Sequence, residues 1–247
     1  GLSRKLPSPL SGVVISGSGA GKSTLAEMLE QMTPPEDVLF FSRVTPQALY
    51  YMCHNLTGML LLMEERAGGE AADYAIRTLQ SRKKLKLMVP VKDPVTGQTK
   101  SSEIEVLGPI GYLETTTNHQ LNPENASRCF EIHMDESEEQ TLRVQQSQRQ
   151  LRERRPNDRK LQMDEVIRRH HNAQRLLERV IVFIPYVNHL KFPSRWLRTR
   201  RDNERFLCLI EAVTFWHQHQ REQGRTVEGT RYILSTAEDY RLAFRLT

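Results

Sequence analysis

The sequence has no apolar run near the ~20 residues of a membrane-spanning helix; the longest candidate is MLLLM at 59–63 of 247 residues. No secretory signal is visible either, so the expected compartment is the cytoplasm and no membrane partner is expected. Cysteine is scarce. Cys53, Cys129 and Cys208 are odd in number, widely spaced and contain no C-x-x-C, so neither a disulfide framework nor a zinc site is indicated. The paired histidines do not supply a metal site, because His170 with His171, and His217 with His219, face apart on a helix. Aromatic residues make up 7% of the chain, and none lies in the strand-like stretch that follows RKKLK, which removes base stacking as a grip there. The opening GLSRKLPSPL has no initiator Met, so the chain reads as a piece of something longer.

Against those absences stands enough apolar content, 38%, for a core in one large domain or two small ones. The net charge of +5 and a pI near 9.2 fit an anionic partner. The charge is clustered: RKKLK at 82–86, RQLRERRPNDRK at 149–160 and RWLRTRR at 195–201.

The most informative stretch is VVISGSGAGKSTLAEMLE at 13–30. A Gly-rich turn that leaves a buried strand and opens a helix surrounds an anion with backbone N–H groups and a helix N-terminus. It fits the phosphate-loop pattern G-x-x-x-x-G-K-[ST] with Ser16 in place of the first glycine. Gly17, Ser18, Gly19, Ala20 and Gly21 form the cradle. Lys22 is placed to reach the outer phosphates of a nucleotide, Ser23 to bind Mg2+, and Thr24 to face the α-phosphate. ATP and Mg2+ are the expected cofactors.

Strand, loop, helix and strand in repetition argue for a parallel sheet in an α/β layer. SGVVIS, DVLFFS and GMLLLMEE read as buried strands, with a helix over 23–32 between the first two. The third run ends in two carboxylates where a phosphate-loop enzyme needs acids, so Glu64 is assigned to Mg2+ and Glu65 to activating water. GEAADYAIRTLQSRKK is an amphipathic helix. Two strand-like runs around DPVTGQ then form a β-hairpin at about 85–106, and IGYLETTT is a core strand tipped with hydroxyls. NPENAS reads as a turn before Arg128 and a short strand. Residues 136–180 form a polar helical connector broken at Pro156, and 181–247 a helical region with a long helix over 201–223. STAEDYRLAFRL is a capped helix, with Ser235 or Thr236 before Glu238.

This order of parts resembles the AAA+ ATPases, in the branch with a hairpin before the sensor strand that includes MCM-type helicases and magnesium chelatase. LETTTNHQLNPENASRCFEIHMDESEEQT and TRRDNERFLCLIEAVTFWHQHQRE look more narrowly like modules of primase-helicase proteins of mobile elements and phages. The resemblance implies a P-loop α/β core over 1–135 with an inserted hairpin, and an α-helical C-terminal lid. It implies Thr117 or Asn118 as sensor 1, Arg128 as an arginine finger reaching a neighbour's site, and Arg201 or Arg200 as sensor 2. The RTRR run at a helix start, where the dipole repels cations, makes sense opposite ATP phosphate.

A finger acting in trans implies a homo-oligomeric ring, a hexamer, with the hairpins in its channel. Lys92 and Lys100 would line that channel, with Lys84 and Lys86 near its base. Single-stranded or forked DNA is the expected occupant, gripped through phosphates without sequence preference, and a fused or associated primase is a possible companion. The expected function is a DNA helicase or translocase in replication. A protein-remodelling or regulatory AAA+ ATPase is the alternative, and a monomeric P-loop kinase a third class.

Overall fold

The computed structural model describes residues 1–42, 44–45, 47–52, 55–64, 70–92, 97–118, 123–153 and 156–247, with only the backbone described at 70–72 and 156–160. The run SGVVI has no charged residue and is apolar after Ser11, as suits a strand covered on both faces, and it forms β1 (Ser11–Ile15), buried throughout. The phosphate-loop stretch follows, then helix α1 (Lys22–Met32), then β2 (Val38–Phe41), the one-turn α2 (Ala48–Tyr51) and β3 (Leu60–Met63). Helix α3 (Glu70–Arg82) leads into the hairpin strands β4 (Lys84–Lys92) and β5 (Thr99–Leu107), and the core resumes with β6 (Gly111–Thr116), α4 (Pro123–Ala126) and β7 (Phe130–His133).

The core strands make a five-stranded sheet in the order β2-β3-β6-β1-β7, and every neighbouring pair is parallel. One face, with Val13, Ile15, Leu61, Met63 and Tyr112, packs against Leu49, Ile76 and Leu79 of α2 and α3. Val14, Leu60, Leu62 and Leu113 on the other face pack against Leu25 and Leu29 of α1. The chain leaves β1 for the far edge, works back to β6, and then places β7 on β1's other side. That reversal opens a crevice beyond the carboxyl end of β1, where α/β sheets bind ligands.

The hairpin is anchored at its base by Leu85 and Val106, both within the core cluster, and by the Leu56 N–H donating to the Leu107 carbonyl at 2.7 Å. Lys83, at φ 59, takes the left-handed conformation that turns the end of α3 into β4. NPENAS, expected as a turn, contains the short α4.

Beyond β7, helix α5 (Glu138–Glu153) is mostly polar and buries no residue, its Leu142 and Val144 being exposed. Helix α6 starts at Pro156, as Pro's fixed φ favours, and runs to Arg175. Its C-terminal end returns to the core: the Gln174 side chain donates to the Met32 carbonyl at 2.6 Å and accepts from the buried Arg4 guanidinium at 2.9 Å. Arg4 also pairs with Asp37 at 2.5 Å.

The C-terminal region, expected as helical, also contains strands. Strands β8 (Ile181–Phe183), β9 (Gln223–Arg225) and β10 (Arg231–Leu234) form a small sheet in the order β8-β10-β9. The long helix α7 (Thr199–Trp216) ends seven residues before the expected 223. These strands have three or four residues, too few for alternation to stand out from a helical pattern. On α7, Ile210 and Val213 are buried and Phe206 and Leu209 pack against them. The final helix α8 (Ala237–Arg245) is capped by Thr236 in a capping box closed by Asp239, not Glu238.

Asp239 is 1% exposed and accepts from Arg221 Nε at 2.9 Å and from the Thr236 N–H at 2.9 Å. Burial alone would raise its carboxyl, but the bonds from Arg221 and Thr236 outweigh that and hold it below the ordinary value of 3.8. Asp239→Asn should therefore cost about 2 kcal/mol at neutral pH. Because the folded value is the lower one, the carboxylate's contribution is present above pH 3.8 and is lost as pH falls through the folded value. Denaturant unfolding at pH 7 and at pH 3 should show the gap between wild type and variant narrowing in acid.

Candidate functional site

Helix α1 begins without a side-chain cap. Its N-cap is Gly21, at φ 95, and its first turn holds no acid. The first N–H groups of α1 are thus free of a capping carboxylate or hydroxyl, while the helix dipole adds positive potential there. Gly19 also has positive φ, and a Cβ built on it meets no atom within 4 Å, so the loop's crown faces open space. Lys22 folds back over the loop, its ammonium donating to the carbonyls of Ser16 at 2.8 Å and Gly17 at 2.5 Å.

Ser18, Gly19, Gly21, Lys22, Ser23 and Thr24 line one wall of a cleft of about 460 Å3. Gly17 and Ala20 complete the loop behind it. The opposite wall is formed by strand ends: Ser42 after β2, Glu64 after β3, and Thr115, Thr116 and Thr117 at the end of β6. Glu64 is fixed through its N–H, which donates to the Phe41 carbonyl at 3.0 Å. The parallel sheet is what brings these residues together, because all these strands end at the same edge. Thr115 and Thr116, read from sequence only as strand ends, are cleft residues, and Ser42 was not anticipated. Asn118 is not among the residues lining the cleft, and its backbone N–H donates to Thr116 Oγ1 at 3.0 Å. Glu65 lies outside the described residues.

The donor set fits a magnesium-bound polyphosphate: backbone N–H groups and one ammonium on the loop side, a hydroxyl and a carboxylate at Ser23 and Glu64 for a divalent cation. A second cavity, of about 570 Å3, lies at the opposite edge of the sheet and is lined mainly by apolar residues such as Leu29, Leu113, Leu209, Val213 and Trp216, with Ser11, Glu131 and His217 among its polar ones.

The predicted arginines gather elsewhere. Arg128 precedes β7 and the phosphate loop lies at β7's far end, where Ile15 is in register with His133. The strand's four residues alone span about 13 Å, so Arg128 and Lys22 sit at opposite ends of the sheet. Arg128 donates to Ser81 Oγ and lies 3.9 Å from Glu124. Burial, then the charge of Arg201, lowers its guanidinium below the ordinary value.

Arg201 donates to Ser127 Oγ, and with Arg198 and Arg200 it lines a surface pocket of about 610 Å3 beside α4. Arg200 and Arg201 are thus grouped with Arg128 and are not part of the cleft wall. The unfavourable basic start of α7 is partly answered within the chain: Arg198 lies 3.3 Å from Glu131 and 3.7 Å from Asp202.

The hairpin sets its lysines apart. Lys92 pairs with Thr99, and Lys100 with Val91, so the two lysines project from opposite faces. Lys84 and Lys86 share the face of Lys92. Lys86 is bridged to Glu103 and, at 3.4 Å, to Glu105, which raises its ammonium above the ordinary value and neutralises much of its field. The described hairpin carries Lys84 and Lys86 toward its base and Lys92 and Lys100 toward its outer end.

The four paired histidines each have a neighbour within the chain. His171 contacts the Gln31 carbonyl at 2.8 Å, His219 the Leu176 carbonyl at 3.3 Å, and His217 the Val213 carbonyl at 2.9 Å, while His170 stacks on Trp216. Among the described residues, no group of histidine, cysteine and carboxylate side chains converges to hold a metal, and no helix is long and apolar enough to cross a membrane.

No model of a known protein family matches the chain, and no curated protein matches it either.

Lys22→Ala should abolish binding of Mg-ATP, because among the described residues lining the cleft Lys22 is the sole cation. Titration with a fluorescent ATP analogue checks this, with circular dichroism to show that the variant is folded.

Proposed function

We propose that the protein is an ATP-hydrolysing AAA+ motor that works as a ring on DNA. The observation that carries this reading is the cleft, in which an uncapped helix N-terminus and Lys22 lie across from Glu64, Thr115, Thr116 and Thr117 over a space suited to a nucleotide. Lys22 and the loop N–H groups would hold ATP, and Ser23 with Glu64 would hold Mg2+. The metal, when bound, neutralises charge on the phosphates. Thr117 is favoured over Asn118 as the sensor of the terminal phosphate because it lines the cleft. Glu65, two positions beyond β3, is assigned to orienting water.

Arg128, before the start of β7 and at the opposite end of that strand from the cleft, has no route to its own cleft, so a role in catalysis requires a neighbouring copy. Arg200 and Arg201 sit beside it and would approach the same neighbour. The mutual repulsion of Arg128 and Arg201 is of the kind an anion placed between them relieves. Such head-to-tail contacts close into a ring, for which six copies is the proposed number.

A second reading, remodelling of a polypeptide, is favoured by one specific observation. Met88 and Val91, on opposite faces of the hairpin's outer part, are 61% and 48% exposed, which suits an apolar grip on a peptide. Hydrolysis measured with and without single-stranded DNA separates the two. The motor reading expects stimulation, and absence of DNA affinity even at low salt contradicts it. Replacing Lys92 and Lys100 together by Ala should weaken DNA binding at every sequence and flatten the salt dependence by ~0.7 per lost contact. Lys86→Ala should change affinity little, since two carboxylates already neutralise it.

Arg128→Ala should leave nucleotide affinity intact and remove catalysis. Mixing it with the Lys22→Ala variant should restore part of the activity, because some mixed interfaces carry both wild-type halves. Absence of recovery in subunits shown to exchange contradicts action in trans.

A further inference from the structure

Sequence pattern leaves one departure in the phosphate loop unexplained: Ser16 stands at its first glycine position. Its hydroxyl is in a residue 2% exposed, where a polar group needs a partner. That partner is Glu136, from the short link between β7 and α5. Ser16 Oγ donates to Glu136 Oε1, and the Gly17 N–H donates to the same oxygen at 2.8 Å.

The Gly17 N–H and the Ser16 carbonyl are the two ends of one peptide group. The carbonyl end is held by the Lys22 ammonium at 2.8 Å, and the N–H end by the Glu136 carboxylate. The Ser16–Gly17 peptide dipole therefore lies between a cation at its negative end and an anion at its positive end. Both charges oppose rotation of that peptide plane, since a flip would point its oxygen at the carboxylate and its N–H at the ammonium.

Glu136 is itself fixed in place. Residues just before it pair with β1 through His133, Met134 packs on the α1 face of the sheet, and Asp135 Oδ1 accepts from the Ser137 N–H at 3.0 Å.

We propose that Glu136 is a positioning residue for the nucleotide site: its carboxylate, acting through Ser16 and Gly17, fixes the first peptide of the phosphate loop and so keeps Lys22 and the loop N–H groups aligned for phosphate. The inference rests on the nucleotide-binding reading and assigns it a residue outside the phosphate-loop motif. The same tether joins the loop to the start of α5, the polar helix that no other described element covers.

The charge and the geometry of Glu136 have opposite consequences, which makes the role testable. A carboxylate near a phosphate site repels the ligand, whereas a clamp on the loop favours it. Glu136→Gln removes the charge and keeps an acceptor oxygen for both donors. Glu136→Ala removes both.

The experiment measures the affinity of the whole chain for a fluorescent ATP analogue with Mg2+, together with amide hydrogen exchange at residues 16–18. The clamp predicts about tenfold weaker binding for Glu136→Ala with faster exchange at Gly17, and affinity within about threefold of wild type for Glu136→Gln. It also predicts that Ser16→Ala weakens binding less than Glu136→Ala does, because the Gly17 bond survives, and that combining the two is no worse than Glu136→Ala alone.

Unchanged or tighter binding by Glu136→Ala overturns the inference and leaves the nucleotide site standing. So does a double variant whose losses simply add. Absence of any binding by the wild-type chain, in protein shown to be folded, instead overturns the nucleotide reading on which it rests.

Discussion

Everything at the candidate site depends on β1 being held between β6 and β7. Its five residues are all buried, and its register is fixed on both sides, so the loop that leaves it has one starting direction. The loop then opens α1 without a side-chain cap, and the N–H groups that an ordinary helix would satisfy with a capping hydroxyl face the cleft. The opposite wall follows from the same constraint, since Glu64 and the Thr115–Thr117 hydroxyls are strand-end residues of parallel neighbours. Burial in the sheet thus determines which polar groups can meet, and the chemistry is assembled from positions that the hydrophobic core cannot use.

The excess of positive charge separates into three physically different situations. At Lys22 the charge is stored on loop carbonyls, from which a phosphate can draw it. At Lys86 it is spent within the hairpin on Glu103 and Glu105. Around Arg128 and Arg201 it is crowded, with burial and mutual repulsion both acting against the charged form. The first and third lie at opposite ends of β7. The proposed head-to-tail assembly would bring the crowded guanidiniums of one copy to the glycine-rich loop of the next.

The phosphate loop, the core strands and the hairpin were legible in the sequence because each is encoded locally: by glycine spacing, by continuous apolar runs and by turn chemistry. The sides of the hairpin were not. DPVTGQ locates a turn but not its register, and a shift of one residue exchanges the faces, so Lys92 and Lys100 read as companions when they project apart. On the helix dipole alone, Arg200 and Arg201 belong opposite ATP phosphate, but Arg201's partner Ser127, and the partners Glu131 and Asp202 of nearby Arg198, are set by how α7 packs on the segment before β7. The small β8-β10-β9 sheet was missed because its strands are too short to carry a period. Glu136 was invisible for a simpler reason: a carboxylate 120 residues from its serine partner leaves no trace in local pattern, and only the odd residue at position 16 hinted that the loop's base was held differently.

The central claim, that this cleft binds Mg-ATP, is tested most directly by a structure of the protein with Mg2+ and a non-hydrolysable ATP analogue. The account predicts that the Lys22 ammonium leaves the Ser16 and Gly17 carbonyls for the outer phosphates, and that the metal lies between Ser23 and the Glu64 side. Nucleotide bound away from residues 18–24, or a Lys22 ammonium still seated on the two carbonyls with nucleotide present, would contradict it.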